Sequence, residues 1–355
     1  MKILYLMHIE WGWIKQRPHF IAEELESAGN KVDVRYETSL RRFKRLENKS
    51  DRIKPKRLIP IPKKRHYPMR FLDIVINTAY VYILHKRKKY DVIWICHPGL
   101  VQYVYHLGIP IIYDCMDDHV EFHGNRKDRN FLIETEDLAC SVSTVIVSSN
   151  YLKKKIAERY GSNLNVSLVR NGLSQSIASK FHNFYSMLPE SDLYYTIVYF
   201  GAIAEWFDFG AIQTLLQSSR KKIKIVLIGP SEVDLPKEEN LIYTGPMDHE
   251  SMMVYAGKAD ALIMPFKLSE LIYGVDPVKL YEYICFNKPV FSIYYEEIFR
   301  FEKFVYFYKT YEELCLLVES TPPAKGSDLE KLDFIKENTW ENRTKEIEDV
   351  IGKNV

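Results

Sequence analysis

The chain has no long uninterrupted apolar run, no paired cysteine spacing and no internal repeat, and each absence narrows its class. The longest apolar stretch, Phe71 to Leu84, is broken by Asp73 and Asn77. It falls short of the ~20 residues a membrane-spanning helix needs. The five cysteines (Cys96, Cys115, Cys140, Cys285, Cys315) are odd in number, scattered and set in apolar surroundings. Without CxxC or ligand spacing they offer neither a disulfide framework nor a metal site, and reduced cytosolic thiols are the economical reading. Met1-Lys2 leads straight into Ile3-Leu4-Tyr5-Leu6-Met7, too short an apolar region for a signal peptide and with no small-residue cleavage site after it. No low-complexity stretch appears. These absences predict a soluble, cytoplasmic protein.

What is present is enough for two packed cores. A length of 355 residues predicts about two domains at roughly 100 to 200 residues each. Apolar residues at 46% and charged residues at 27% exclude a disordered or acidic solvating chain. The net charge of +2 hides an asymmetry: residues 41–89 hold 17 Lys and Arg against Glu47, Asp51 and Asp73, a local +14, which leaves −12 for the rest. Arg41-Arg42-Phe43-Lys44-Arg45, Lys63-Lys64-Arg65 and Lys86-Arg87-Lys88-Lys89 seek polyanions, either nucleic acid or anionic lipid headgroups. Phe43, Tyr67, Met69, Phe71 and Leu72 lie among the charges, as an interfacial docking face requires. The plainer reading is a solvated basic loop beside one amphipathic helix.

Strands and helices alternate twice along the chain. Lys2 to His8 reads as a first strand buried on both faces. Pro18 opens a helix over 19–28 that Gly29-Asn30 closes, and Val32 to Tyr36 is the second strand. Helix 70–86, strand Val92 to Cys96, helix 99–107, strand Ile109 to Cys115, strand Val142 to Ser148 and helix 150–160 follow. A second series has strands Tyr194 to Phe200, Ile223 to Ile228, Leu241 to Thr244, Ala261 to Pro265 and Pro289 to Ile293. Ser174 to Asp192, weakly periodic and holding Pro189, reads as the boundary. This rhythm predicts an α/β protein of two Rossmann-like domains with parallel sheets, whose strand carboxyl ends line a ligand cleft.

Four segments carry a resemblance to a known superfamily: Glu10-Trp11-Gly12-Trp13-Ile14-Lys15-Gln16-Arg17-Pro18-His19, Val169-Arg170-Asn171-Gly172, Asp276-Pro277-Val278-Lys279-Leu280-Tyr281-Glu282-Tyr283 with Asn287-Lys288-Pro289-Val290, and Asn338-Thr339-Trp340-Glu341. In this order and spacing the chain resembles a GT-B glycosyltransferase, close to the bacterial family 4 type that builds capsule, O-antigen and teichuronic acid chains. The resemblance implies an acceptor-binding domain over 1–175, a nucleotide-sugar-binding domain over 190–327, and a C-terminal helical segment, 328–355, packing back on the first domain. It implies transfer of a sugar from a nucleotide sugar, UDP-linked by family frequency, to a lipid-linked or growing surface polysaccharide at the inner membrane face. Residues 41–89 would then meet the anionic membrane, with no nucleic-acid partner.

The implied donor site gathers around Lys279, a cation for the two departing phosphates, and Glu282 on the same helical face, an acceptor for the ribose hydroxyls. The alternative is a surface ion pair between the two. The family's earlier glutamate, eight positions before Glu282, is replaced here by Gly274, so Asp276 stands in for the sugar hydroxyls, or the backbone of Tyr273-Gly274-Val275 wraps the phosphates. Tyr281 lies within the same motif. Gly201 lets backbone approach the diphosphate, with Glu205 and Trp206 after it where relatives carry basic residues; Gly229-Pro230 and Tyr243-Thr244-Gly245 flank the base. Each of these glycines is otherwise a plain turn. Trp11, Trp13, Arg17 and His19 are expected on the acceptor side. Asp117 at the end of its strand is the expected general base, with Asp118 and His119 in reserve; either aspartate is alternatively a helix cap. A metal is conceivable at Asp117, Asp118, His119 and His123, but GT-B enzymes use protein cations and helix ends instead, so no metal or other cofactor is expected. A nucleotide-sugar 2-epimerase or a non-catalytic membrane or nucleic-acid binding module are the competing readings.

Overall fold

The computed structural model describes residues 1–12, 15–38, 53–62, 68–121, 126–189 and 193–354. Trp13, His123 and residues 41–52 and 63–67 of the basic stretch, including Lys63-Lys64-Arg65, therefore lie outside the described residues. The chain forms two compact units: residues 1–171 with 340–355, and residues 172–339.

The first unit strings β1 (Lys2–Met7), α1 (Arg17–Ser27), β2 (Lys31–Tyr36), β3 (Lys56–Arg57), α2 (Met69–Lys88), β4 (Val92–Ile95), β5 (Ile111–Cys115), α3 (Arg126–Val142), β6 (Thr144–Val147), α4 (Asn150–Tyr160) and β7 (Val166–Leu168). The strands make one parallel sheet in the order β3-β2-β1-β4-β5-β6-β7. Strand order reverses at β1, which pairs with β2 on one side and β4 on the other. Such a switch point leaves a crevice at the strand carboxyl ends. Apolar β4 and β5 are buried along their whole length, as a sheet covered on both faces demands. Local chemistry sets the helix ends: Ser149 Oγ accepts the Leu152 N–H at 3.2 Å to open α4, and Gly161 closes it. Where a helix over 99–107 was expected, residues Pro98–Tyr103 form a tighter 3-10 turn, begun by His97 Nδ1 accepting the Gly99 N–H.

The second unit holds α5 (Gln175–Ala178), α6 (Phe181–Tyr185), β8 (Tyr195–Phe200), α7 (Phe209–Ser218), β9 (Ile223–Ile228), β10 (Leu241–Gly245), α8 (His249–Gly257), β11 (Ala261–Met264), α9 (Glu270–Tyr273), α10 (Val278–Tyr283), β12 (Val290–Ile293), β13 (Tyr306–Tyr308), α11 (Tyr311–Ser320) and α12 (Asp328–Glu337). Its parallel sheet runs β10-β9-β8-β11-β12-β13, with the reversal at β8. Residues 174–192, read from sequence as a boundary, instead supply α5 and α6, whose Ile177, Phe181 and Phe184 are buried in this unit's core. Residues 328–337 likewise form a helix of the second unit, so the crossing falls at 339/340 and not at 328.

Helix α13 (Trp340–Asn354) belongs to the first unit. Trp340 is fully buried and stacks on Phe20 of α1 with ring centroids 5.2 Å apart, and Arg343 Nε donates to the Asn171 carbonyl at 3.0 Å. Trp340→Ala removes an aromatic anchor and leaves a cavity, so it lowers stability by about 3–5 kcal/mol. Urea unfolding followed by circular dichroism checks this through a lower midpoint at an unchanged slope.

Candidate functional site

Both switch points carry chemistry-bearing residues. In the second unit, Gly201 ends β8 and Gly229 ends β9, each at a φ (+131° and +135°) that favours glycine. The two turns touch: a Cβ on Gly229 would strike the Gly201 carbonyl, and a Cβ on Gly201 would lie 2.7 Å from Lys279 Nζ and closer still to Cε. The Gly201 N–H donates to the Ile228 carbonyl at 2.8 Å and the Gly229 N–H to the Gly245 carbonyl at 3.0 Å, so three strand ends close into one bare backbone surface. Over it lies the Lys279 side chain, reaching back from α10, its Nζ 5.5 Å from the Tyr199 ring centroid and 5.6 Å from that of Phe266. Lys279 is half-buried. Burial pushes its ammonium down to about 8, with the Glu282 carboxylate pulling weakly the other way. No hydrogen bond or ion pair engages Lys279 Nζ among the described residues. A desolvated cation over a half-buried glycine backbone fits a diphosphate, which would return the lost solvation as direct charge contact.

Glu282 lies one turn along α10, with 13% of its side chain exposed, and Oε1 sits 3.1 Å from Nε2 of His249, itself half exposed at the start of α8. His249 was not expected from sequence. Gly274 is buried at the end of α9 without a positive φ. Glu205 is exposed, Trp206 packs half-buried against the core, and Tyr243 is exposed on β10. Asp276 and Tyr281 differ from expectation. Asp276 is buried with Oδ1 accepting from Arg300 at 2.9 Å and Oδ2 from the Tyr281 hydroxyl at 2.8 Å, and Arg300 also donates to that hydroxyl. Both carboxylate oxygens serve a buried strut, which removes them from sugar recognition.

In the first unit, His8 follows β1, His97 follows β4 and His119 follows β5. Their rings cluster with centroids 4.9 Å (His8–His97), 5.2 Å (His8–His119) and 4.7 Å (His97–His119) apart. His97 Nδ1 accepts from Gly99 N at 3.1 Å, which places that ring's proton on Nε2. A Cβ at Gly99 would come within 3.2 Å of that nitrogen, a tight contact that the His97 ring would have to relieve. Sequence reading singled out only His119, although each ring follows a strand end, a signal that was present. Among the described residues no group of three His, Cys, Asp or Glu is disposed to hold a metal ion.

Asp117 is half-buried, and its carbonyl accepts the His119 N–H at 2.9 Å. Burial drives its carboxyl up to about 7; the Arg17 guanidinium opposes this, while Asp114 and Asp118 reinforce it. Asp118 is not available as a base. It is buried and gripped by Arg159 through two 2.8 Å bonds. Arg17 and His19 also leave the acceptor side. Arg17 is buried, its Nε 3.0 Å from both Asp114 oxygens and its NH1 donating to the Arg170 carbonyl and Asn171 Oδ1 at 3.1 Å, so it ties α1 to β5 and to the chain's exit from the unit. His19 accepts the Gln16 N–H on Nδ1 at 3.2 Å, and burial first, then Lys15, lowers it to about 4. It is a neutral helix-start residue, packed with buried Trp11 at 5.0 Å.

No protein-family model matches the chain. TuaH of Bacillus subtilis (strain 168), whose name provisionally makes it a teichuronic acid biosynthesis glycosyltransferase, is 27% identical over 218 residues, 56% of this chain and 54% of that one. This chain thus spans about half the length of the curated relative it matches. Among solved structures, sucrose-phosphate synthase from Thermosynechococcus elongatus superimposes with a TM-score of 0.73 at 13% identity, covering 99% of each chain. HepE of Anabaena, in complex with UDP and glucose, gives 0.67 at 14% identity, again over 99% of each. At such identities the likeness speaks for the fold, and it covers both parallel-sheet units. The chain has the GT-B architecture that its sequence resembles.

Proposed function

We propose that the chain transfers a sugar from a nucleotide sugar, UDP-linked, to a lipid-linked or growing surface glycan at the inner face of the cell membrane. The observation that carries this reading is the half-buried Lys279 ammonium laid over the Gly201 turn, which the Gly229 turn backs, at the β8 switch point. Bare backbone accommodates a diphosphate without side-chain collision, and the cation neutralises charge that grows as the sugar leaves. HepE's complexes with UDP and UDP-glucose support UDP as the nucleotide, and the name of TuaH supports a surface-glycan product. Asp117, with its carboxyl near 7, takes the acceptor hydroxyl proton. His119, beside it, is the second candidate for that proton. Glu282 receives the ribose hydroxyls once His249 turns aside.

Thermal unfolding in the presence of UDP, GDP, dTDP and CMP tests the donor. UDP at 100 times its dissociation constant stabilises by ~2.7 kcal/mol; a midpoint that none of the four raises would contradict nucleotide binding. Glu282→Ala weakens UDP binding by about 1.5–3 kcal/mol, the worth of a charged hydrogen-bond acceptor. Calorimetric titration reads that loss, and unchanged affinity would remove Glu282 from the site.

A further inference from the structure

Helix α2 is apolar on two sides: Val81, Ile74, Tyr80 and Leu84 pack toward the core of the first unit, and a second set of apolar residues faces outward. Its buried positions are Asp73, Asn77 and Val81, whereas Phe71 (59% exposed), Val75 (46%) and Tyr82 (47%) face outward, with Leu72 and Ile83 beside them. The inward polar pair is fully engaged. Asn77 donates from Nδ2 to Asp73 Oδ1 at 2.9 Å and brackets the backbone of Ile59, while the Tyr103 hydroxyl donates to Asp73 Oδ2 at 2.5 Å. Those two residues, which break the apolar run in the sequence, therefore fix the helix with its second apolar side outward. That side is not flat. A groove of about 650 Å³ opens along it, walled by Ile74, Val75, Tyr82 and Leu138, with Tyr105 and His106 opposite, within the roughly 300–1,000 Å³ of pockets that hold small molecules. The helix then ends in exposed Lys86, Arg87, Lys88 and Lys89, and Lys86 Nζ lies 5.2 Å over the Tyr82 ring.

We infer that the outer face of α2 docks into an anionic lipid leaflet, the groove taking one hydrocarbon chain and Lys86, Arg87 and Lys89 meeting lipid phosphates, while Lys88 is held by Asp33 at 2.5 Å. An apolar strip beside a cationic end is what a helix lying in the interface presents. The +14 of residues 41–89 complements a negative membrane surface, and the exposed apolar strip beside it suits a lipid leaflet better than the remainder of a second copy, which carries −12. The inference deepens the membrane-face part of the proposed function and rests on it. It is independent of nucleotide binding, because α2 and Lys279 belong to different units.

Flotation with vesicles of phosphatidylcholine alone, and of equal parts phosphatidylcholine and phosphatidylglycerol, tests it. The wild type floats with the mixed vesicles and stays below with phosphatidylcholine alone. Val75→Glu with Tyr82→Glu loses binding by tenfold or more, and replacing Lys86 and Arg87 by Ser costs about fivefold for each charge. Val75→Trp shifts its emission to the blue on the mixed vesicles, which adsorption by charge alone would not cause. UDP raises the unfolding midpoint of the Glu variant as it does the wild type's, so failure of docking and failure of the donor site are read separately. Flotation that survives the Glu pair overturns the inference, as does no flotation at all. So does a wild-type dimer in light scattering that the Glu pair dissociates, which would make the face a contact between copies.

Discussion

Lys279→Ala lowers turnover of the nucleotide sugar by about 10²–10³-fold, the usual cost of removing one donor to developing charge, and leaves the urea midpoint within error or slightly higher. The second half of that expectation follows from the cation's environment. The native ammonium loses its proton near 8, against 10.5 for an ordinary lysine. Between those values the unfolded chain binds more protons than the native one, so this group's contribution to stability rises with pH across that window. Below it, burial of the charged form is a cost that alanine removes. Binding runs the other way. The cation is present below about 8 and fades above it, so UDP affinity falls as pH passes 8, and the alanine variant shows no such fall. Calorimetric titrations on either side of pH 8 measure both. Near wild-type turnover in the variant would take Lys279 out of the mechanism.

Asp117→Asn keeps the size of the side chain and cannot accept a proton. Turnover drops by about 10²–10⁴-fold with donor affinity unchanged. In the wild type, kcat/KM climbs as pH rises through about 7, where Asp117 ionises, and declines again past about 8 with Lys279. The Asn variant loses the acid limb. Its stability separates chemistry from packing. The native carboxyl holds its proton up to about 7, against 3.8 ordinarily, so the native state binds more protons in that interval and stability falls as pH rises through it. At pH 8 the Asn variant, free of a half-buried charge, unfolds at a higher urea concentration than the wild type. A fully active Asn variant that yields an inverted anomer by NMR moves the base to His119, since Arg159 holds Asp118.

Much of the fold was legible because buried parallel strands read as short apolar runs. Ile223–Ile228 was placed to the residue, and β8, β11 and β12 to within one. Gly201 was legible for a similar reason, since it follows such a strand, whereas Lys279 was picked out by the helix-start motif of residues 276–283 that carries the family resemblance. What stayed hidden depends on partners far away in the chain. Arg17 looks like a surface cation until Asp114, 97 residues on, claims it; Asp118 looks like a base until Arg159 does the same across 41 residues. Asp276 in the helix-start motif looks solvent-facing until Arg300 reaches it from the segment after β12. The outward apolar face of α2 was hidden by period alone. A hydrophobic stripe shows that a helix is amphipathic, and only the pairing of Asp73, Asn77 and Tyr103 shows which face is inward.

The account turns on the glycine turns and Lys279 forming a diphosphate site, and a calorimetric titration of UDP into wild type and Lys279→Ala at pH 7 tests that most directly. Saturable binding by the wild type, weakened tenfold or more in the variant, is the expected result. Equal affinity in the two proteins, or no heat of binding in the wild type, would contradict it.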